Sequence, residues 1–191
     1  MARNGSGLKR QKSSVVFWGC EGLSEENYAV FLNSLFKRNR IPVSLRKIPL
    51  GKAGSVLAKI HSAKKRLEVE KRKDTKFKDR YIVMDIDVIG DDSNQVNEAE
   101  REALRHKITI LWQRPCFEGF LIKHFEEIKD RSPSNCRDAE VVLKTVWADF
   151  KKPESVQRLT QKLDFYTNIK SLLTVEAEFK RVFESFGLKV N

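Results

Sequence analysis

A chain of 191 residues with 40% hydrophobic content can bury one core, and its 12 Phe and 3 Trp supply the bulk for it. Its Lys and Arg outnumber Asp and Glu by 37 to 26, a net of +11 that points to a polyanionic partner, nucleic acid or an anionic surface. No apolar run approaches the roughly 20 residues that span a bilayer, no apolar stretch follows the basic start as in a signal peptide, and three cysteines make no CxxC pair, so the expectation is a cytoplasmic protein without membrane contact.

Residues 1–13 read as a flexible basic tail. "SSVVFWGCEG" predicts a short buried strand ending at Glu21-Gly22. In "LSEENYAVFLNSLFKRN" the residues Tyr28, Phe31, Leu32, Leu35 and Phe36 recur at helical spacing, with Ser24 as the expected cap. "VSLRKIPL" predicts a second strand. "GKAGSVLAKIHSAKKRLEVEKRK" predicts a long helix with Val56, Ile60, Ala63 and Leu67 on one face and lysines on the other. "RYIVMDIDV" is a continuous β-branched and apolar run, as in a strand covered on both faces. "NEAEREALRHK" predicts a helix and "ITILWQ" a buried strand. "PCFEGFLIKHFEEI" predicts a helix opened by Pro115. This β-α alternation argues for an α/β fold over 14–127, a mostly parallel sheet flanked by helices. After the polar loop "KDRSPSNCRD" come three helical patterns, 138–150, 153–172 and 175–186, so 128–191 reads as a helical C-terminal region.

Charge is unevenly spread. Lys37 to Arg80 carries 16 Lys and Arg against 4 Asp and Glu, a net of +12; Tyr81 to Glu140 carries 8 against 13, a net of −5. Residues i and i+2 of a strand share a side, so Asp85 and Asp87 are expected to project together near a strand end. Glu21 ends the first strand and Glu118 starts the helix after the fourth. Open α/β sheets bind ligands just beyond the carboxyl ends of their strands, so all four carboxylates are expected at one edge. Left unpaired they repel one another, and a hard cation such as Mg²⁺ relieves that. A cation beside a basic surface is the arrangement that cleaves or joins phosphodiesters. Each piece also has a plainer reading: an Asp-x-Asp often only caps a loop or binds lysine.

Three blocks carry a family resemblance. "FWGCEGLSEENYAVFL", "YIVMDIDV" and "ITILWQRPCFEGFLIKHFEE" resemble, in order, the motifs of the RloB-like proteins, which include the AbiLii abortive-infection proteins. The resemblance implies a TOPRIM-like fold and a metal-dependent nuclease of anti-phage defence, using Mg²⁺ or Mn²⁺ and acting beside an ATPase of the RloA/AbiLi kind. It implies Glu21 as acid/base or metal ligand and Asp85 and Asp87 as metal ligands. Glu118 and His124 match the family's later motif, and Glu26 its Thr-Glu pair. Leu23, Glu25 and the pair Gln113-Arg114 depart from the family pattern.

Other residues divide between two readings. His124 shares a helical stripe with Phe117, Phe120 and Leu121, which favours a histidine fixing the helix to the core over a catalytic one. Lys52, Lys64, Lys65, Arg66, Lys71, Arg72 and Lys73 read either as a solvated face or as contacts to a nucleic-acid backbone. "GKAGS" lacks the P-loop pattern. The competing function is non-catalytic: a regulatory or docking subunit of a defence ATPase complex, docked through the Leu- and Phe-rich C-terminal helices.

Overall fold

The computed structural model describes residues 13–51, 54–88 and 92–188. The basic tail expected over 1–13 lies outside them apart from Ser13, as does Lys52. The elements run β1 (Ser14–Cys20), α1 (Leu23–Arg38), β2 (Val43–Pro49), α2 (Val56–Arg72), β3 (Arg80–Asp85), α3 (Ser93–Arg105), β4 (Thr109–Gln113), α4 (Phe117–Ile122), α5 (Cys136–Lys144), α6 (Val156–Lys162), α7 (Lys170–Val175) and α8 (Ala177–Ser185). A short 3₁₀ turn, Ile86–Val88, follows β3, and a π turn, Phe165–Ile169, precedes α7.

All strand pairs are parallel, in the order β2-β1-β3-β4. The fold is the expected α/β sheet flanked by helices. Alternating strand residues feed two separate cores. Val16, Trp18, Tyr81, Val83 and Leu111 face α1, α4 and the C-terminal helices. Phe17, Ile82, Met84, Ile110 and Trp112 face α2 and α3. Both faces of β1, β3 and β4 are therefore dry, which explains why these strands read as apolar runs, while the edge strand β2 keeps exposed polar residues. Each fully buried large side chain contributes about 1.5–3 kcal/mol.

The helix ends depart from expectation in instructive ways. α1 is capped at Gly22, not Ser24; the Glu25 carboxylate reaches back to accept the Gly22 N–H at 2.8 Å. Ser24 is instead buried. α4 begins after Pro115, with Cys116 as its N-cap, and covers only Phe117–Ile122. It lies so close to the preceding chain that a Cβ on Gly119 would sit 2.2 Å from the Arg114 carbonyl oxygen. The C-terminal helices are shorter than their patterns. The 153–172 pattern breaks at Leu163–Asp164, where the Asp164 side chain accepts the Thr167 N–H and starts a new turn. Leu143, Trp147, Leu159, Leu172, Phe179 and Phe183 share one core with α1.

Each helix between parallel strands runs back against them. The N-terminus of α2 is thus at the carboxyl edge of the sheet and its C-terminus about 24 Å away, at 1.5 Å per residue for the 17 residues of Val56–Arg72.

Candidate functional site

After β1 the chain crosses one face of the sheet through α1; after β3 it crosses the other through α3. A crevice opens between the carboxyl ends of two such strands. Glu21 and Asp85 stand there. The Asp85 backbone N–H donates to Glu21 Oε2 at 3.4 Å. Glu21 Oε1 is bound by the ammonium of Lys59, which is 2% exposed on the first turn of α2. Asp85 is the last residue of β3. Its Oδ1 is buried with no partner among the described residues. Burial, then the charge of Glu25, lifts its carboxyl from the ordinary aspartate range to about 8; Lys152 opposes, while Glu21 and Asp87 add to the rise.

Glu118 is 3% exposed in the first turn of α4. Lys152 Nζ lies 3.0 Å from both of its oxygens, and the Cys116 thiol donates to Oε2 at 3.0 Å. Burial opposes the charge on Lys152, but Glu118 and Asp85 outweigh it and hold the ammonium above its usual range. Glu25 is also buried, and burial raises its carboxyl. Glu21, Ser24, Glu25, Asp85 and Lys152 line a cleft of about 530 Å³. Four carboxylates, Glu21, Glu25, Asp85 and Glu118, thus meet two ammonium groups, Lys59 and Lys152.

Asp87 is placed differently from expectation. β3 stops at Asp85, so the i, i+2 rule does not carry Asp87 to the same side. In the 3₁₀ turn its N–H donates to Pro115 O at 3.1 Å and its exposed carboxylate accepts the Cys136 thiol at 3.0 Å. Burial, then Asp87, pushes that thiol up to about 11. Glu26 points to Lys47, 3.0 Å away, and does not line the cleft. His124 is fully buried: Tyr28 O–H donates to Nε2 at 2.8 Å and Nδ1–H donates to Phe120 O at 3.2 Å. Burial lowers its pKa to about 4, so the ring is neutral and holds α4 to α1.

Lys64, Lys65, Arg66, Lys71, Arg72 and Lys73 are all exposed. Lys64 is five residues, about 7.5 Å, along α2 from Lys59, and Lys71 to Lys73 stand at the far edge of the sheet. Lys73 pairs with Glu70 at 3.4 Å.

Three residues of the site went unread in the sequence. Lys59 sits between Val56, Ile60 and Ala63 on the apolar stripe of α2, a position where a lysine needs a buried anion. Glu25 has capping-box spacing from Gly22. Lys152 lies in a loop far along the chain, where no local pattern marks it.

No group of three or more His, Cys, Asp or Glu has metal-holding geometry among the described residues. Mg²⁺ does not require one: it commonly takes one or two carboxylates and fills its shell with water and phosphate oxygens. The partnerless Asp85 Oδ1 in a cleft with surplus negative charge fits such an ion.

Among the described residues no helix is long and apolar enough to cross a membrane. No curated protein and no solved structure matches the chain. A family model described as RloB-like protein matches residues 16–181, which takes in the sheet, the acidic cleft and the C-terminal helices; the chain belongs to the RloB-like protein family.

Proposed function

We propose that this chain is a cytoplasmic, metal-dependent nuclease of TOPRIM-like type that hydrolyses phosphodiester bonds of DNA or RNA in anti-phage defence, beside an RloA/AbiLi-type ATPase. The observation that carries the reading is the uncompensated Asp85 carboxylate beside Glu21 at the sheet's switch point. Asp85 and Glu21 would hold Mg²⁺ or Mn²⁺, with Asp87 and Glu118 at the flanks. When bound, the cation polarises the phosphate and lowers the pKa of an attacking water. The chain's own residues supply the rest. Lys59 pairs with Glu21 and holds its side chain at the crevice. Lys152 pairs with Glu118 and fixes its position. The exposed cations from Lys64 onward hold the backbone that leaves the crevice along α2, a contact that weakens steeply with salt.

A second reading, a non-catalytic docking subunit of the ATPase complex, draws on other observations. Glu21 and Glu118 already carry lysine partners, and Val141 and Tyr166 expose 63% and 78% of their surface on the C-terminal side. Incubation with plasmid, single-stranded DNA and tRNA under Mg²⁺, Mn²⁺ or EDTA separates the two. Metal-dependent cleavage by the wild type that vanishes in Asp85→Ala supports the nuclease. Absence of cleavage, alone and with the ATPase, supports the docking subunit.

A further inference from the structure

Among the described residues, one buried polar side chain has all of its polar atoms unpaired at the sheet's carboxyl edge: Gln113, 1% exposed, whose Nε2 and Oε1 both lack partners. It is the last residue of β4 and stands in register with Asp85, the last residue of β3. Paired residues of adjacent strands lie about 4.8 Å apart and their side chains leave on the same side. That side is the one that carries Tyr81, Val83 and Leu111, where α1 and α4 pack. The carboxamide is therefore the lateral neighbour of Asp85 Oδ1, which is also unpaired. A core that needed only volume at this position would be served by Leu or Met without the desolvation cost of an amide.

A carboxamide offers donors and an acceptor, and the neighbouring carboxylate offers an acceptor. The small ligand that satisfies such a set is a molecule with two donors and two acceptors, namely water. An anionic oxygen suits it less, because it has no hydrogen to donate to Gln113 Oε1 or Asp85 Oδ1.

We propose that Gln113, buried beside Asp85 and behind the cleft's lining, is a positioning residue that together with Asp85 holds the water that attacks the phosphate; this rests on the nuclease reading. Nε2–H donates to the water oxygen and a water O–H donates to Asp85, leaving an oxygen lone pair for phosphorus. The O–P bond forms as the bond to the leaving oxygen breaks; the proton released by the water to solvent is matched by one that the leaving oxygen takes up from solvent. The balance needs no further reactant.

The test compares wild type, Gln113→Leu, Gln113→Glu and Asp85→Asn in thermal melting, Mn²⁺ binding followed by electron paramagnetic resonance, and metal-dependent cleavage. Gln113→Leu is expected to melt at or above the wild-type temperature, since it removes an unpaired amide. It should bind Mn²⁺ within about twofold of wild type, yet cleave with kcat about 100-fold lower and KM unchanged, the loss typical of a group that acts on the reacting atoms. Gln113→Glu is expected to recover part of kcat with a new pH dependence. A melting temperature lower by more than about 5 °C in Gln113→Leu shows that the fold itself uses the amide, and overturns the proposal. So does wild-type kcat in Gln113→Leu while Asp85→Asn is inactive, which leaves the nuclease reading standing. A wild type that cleaves nothing, alone and with the ATPase, overturns both.

Discussion

The ammonium of Lys59, on the first turn of α2, is buried against the carboxylate of Glu21 at the end of β1. It ties a helix on one face of the sheet to the crevice that opens over the other. Lys59→Met leaves Glu21 without its cation in a setting where it is 17% exposed, and is expected to cost about 3 kcal/mol in urea denaturation. Adding Glu21→Gln should recover part of that loss; a double-mutant cycle with no coupling would refute the pairing.

Asp85 titrates against the usual acid pattern. Its folded pKa of about 8 is above its unfolded value near 3.8, so between these pH values the folded state binds the extra proton. Stability is then favoured at low pH and is lost as pH rises toward 8, with a slope up to about 1.4 kcal/mol per pH unit. Asp85→Asn removes the slope. Denaturation at pH 5 and pH 8 should find the variant gaining on the wild type at the higher pH, and added Mg²⁺ should close the gap.

His124 works in the opposite direction. Its folded pKa of about 4 lies below the ordinary 6.5, so the unfolded chain takes the proton first as the medium is acidified. The contribution is present above pH 6.5 and is lost as pH falls toward 4, amounting to about 3 kcal/mol. Tyr28→Phe strips the donor from Nε2 and is expected to cost about 1–3 kcal/mol at neutral pH. Turnover measured below the melting temperature should be unchanged, which separates a structural histidine from a catalytic one.

Gly119 sets the depth at which α4 sits. Gly119→Ala brings a methyl against the Arg114 carbonyl and is expected to destabilise by about 3 kcal/mol, seen as a lower melting temperature by circular dichroism. Because Glu118 is the adjacent residue, its contact with Lys152 should be disturbed as well, and Lys152→Met in the Gly119→Ala background should then cost less than in the wild type.

The sequence carried the parallel sheet plainly, since β1, β3 and β4 are apolar on both faces and the helices between them keep their period. It also led to Glu21, Asp85 and Glu118, because strand ends and helix starts at one edge follow from β-α alternation. The end of β3 was hidden: Ile86 and Val88 continue the β-branched run of residues 80–88, yet the chain turns at Ile86. Local propensity there yields to Asp87 N–H, which bonds to Pro115 O across the edge. The two lysines were hidden for another reason. Their pairing is with carboxylates 38 and 34 residues away, and periodicity carries no information at that range.

Lys152 joins Glu118 from a segment made 34 residues later. On a ribosome adding about 5–20 residues each second, the β-α core emerges several seconds before this lysine does. Through that interval the nascent chain presents its buried glutamate without a counter-charge. The acidic cleft is therefore finished last, and a chain released early carries the sheet but an unclosed site.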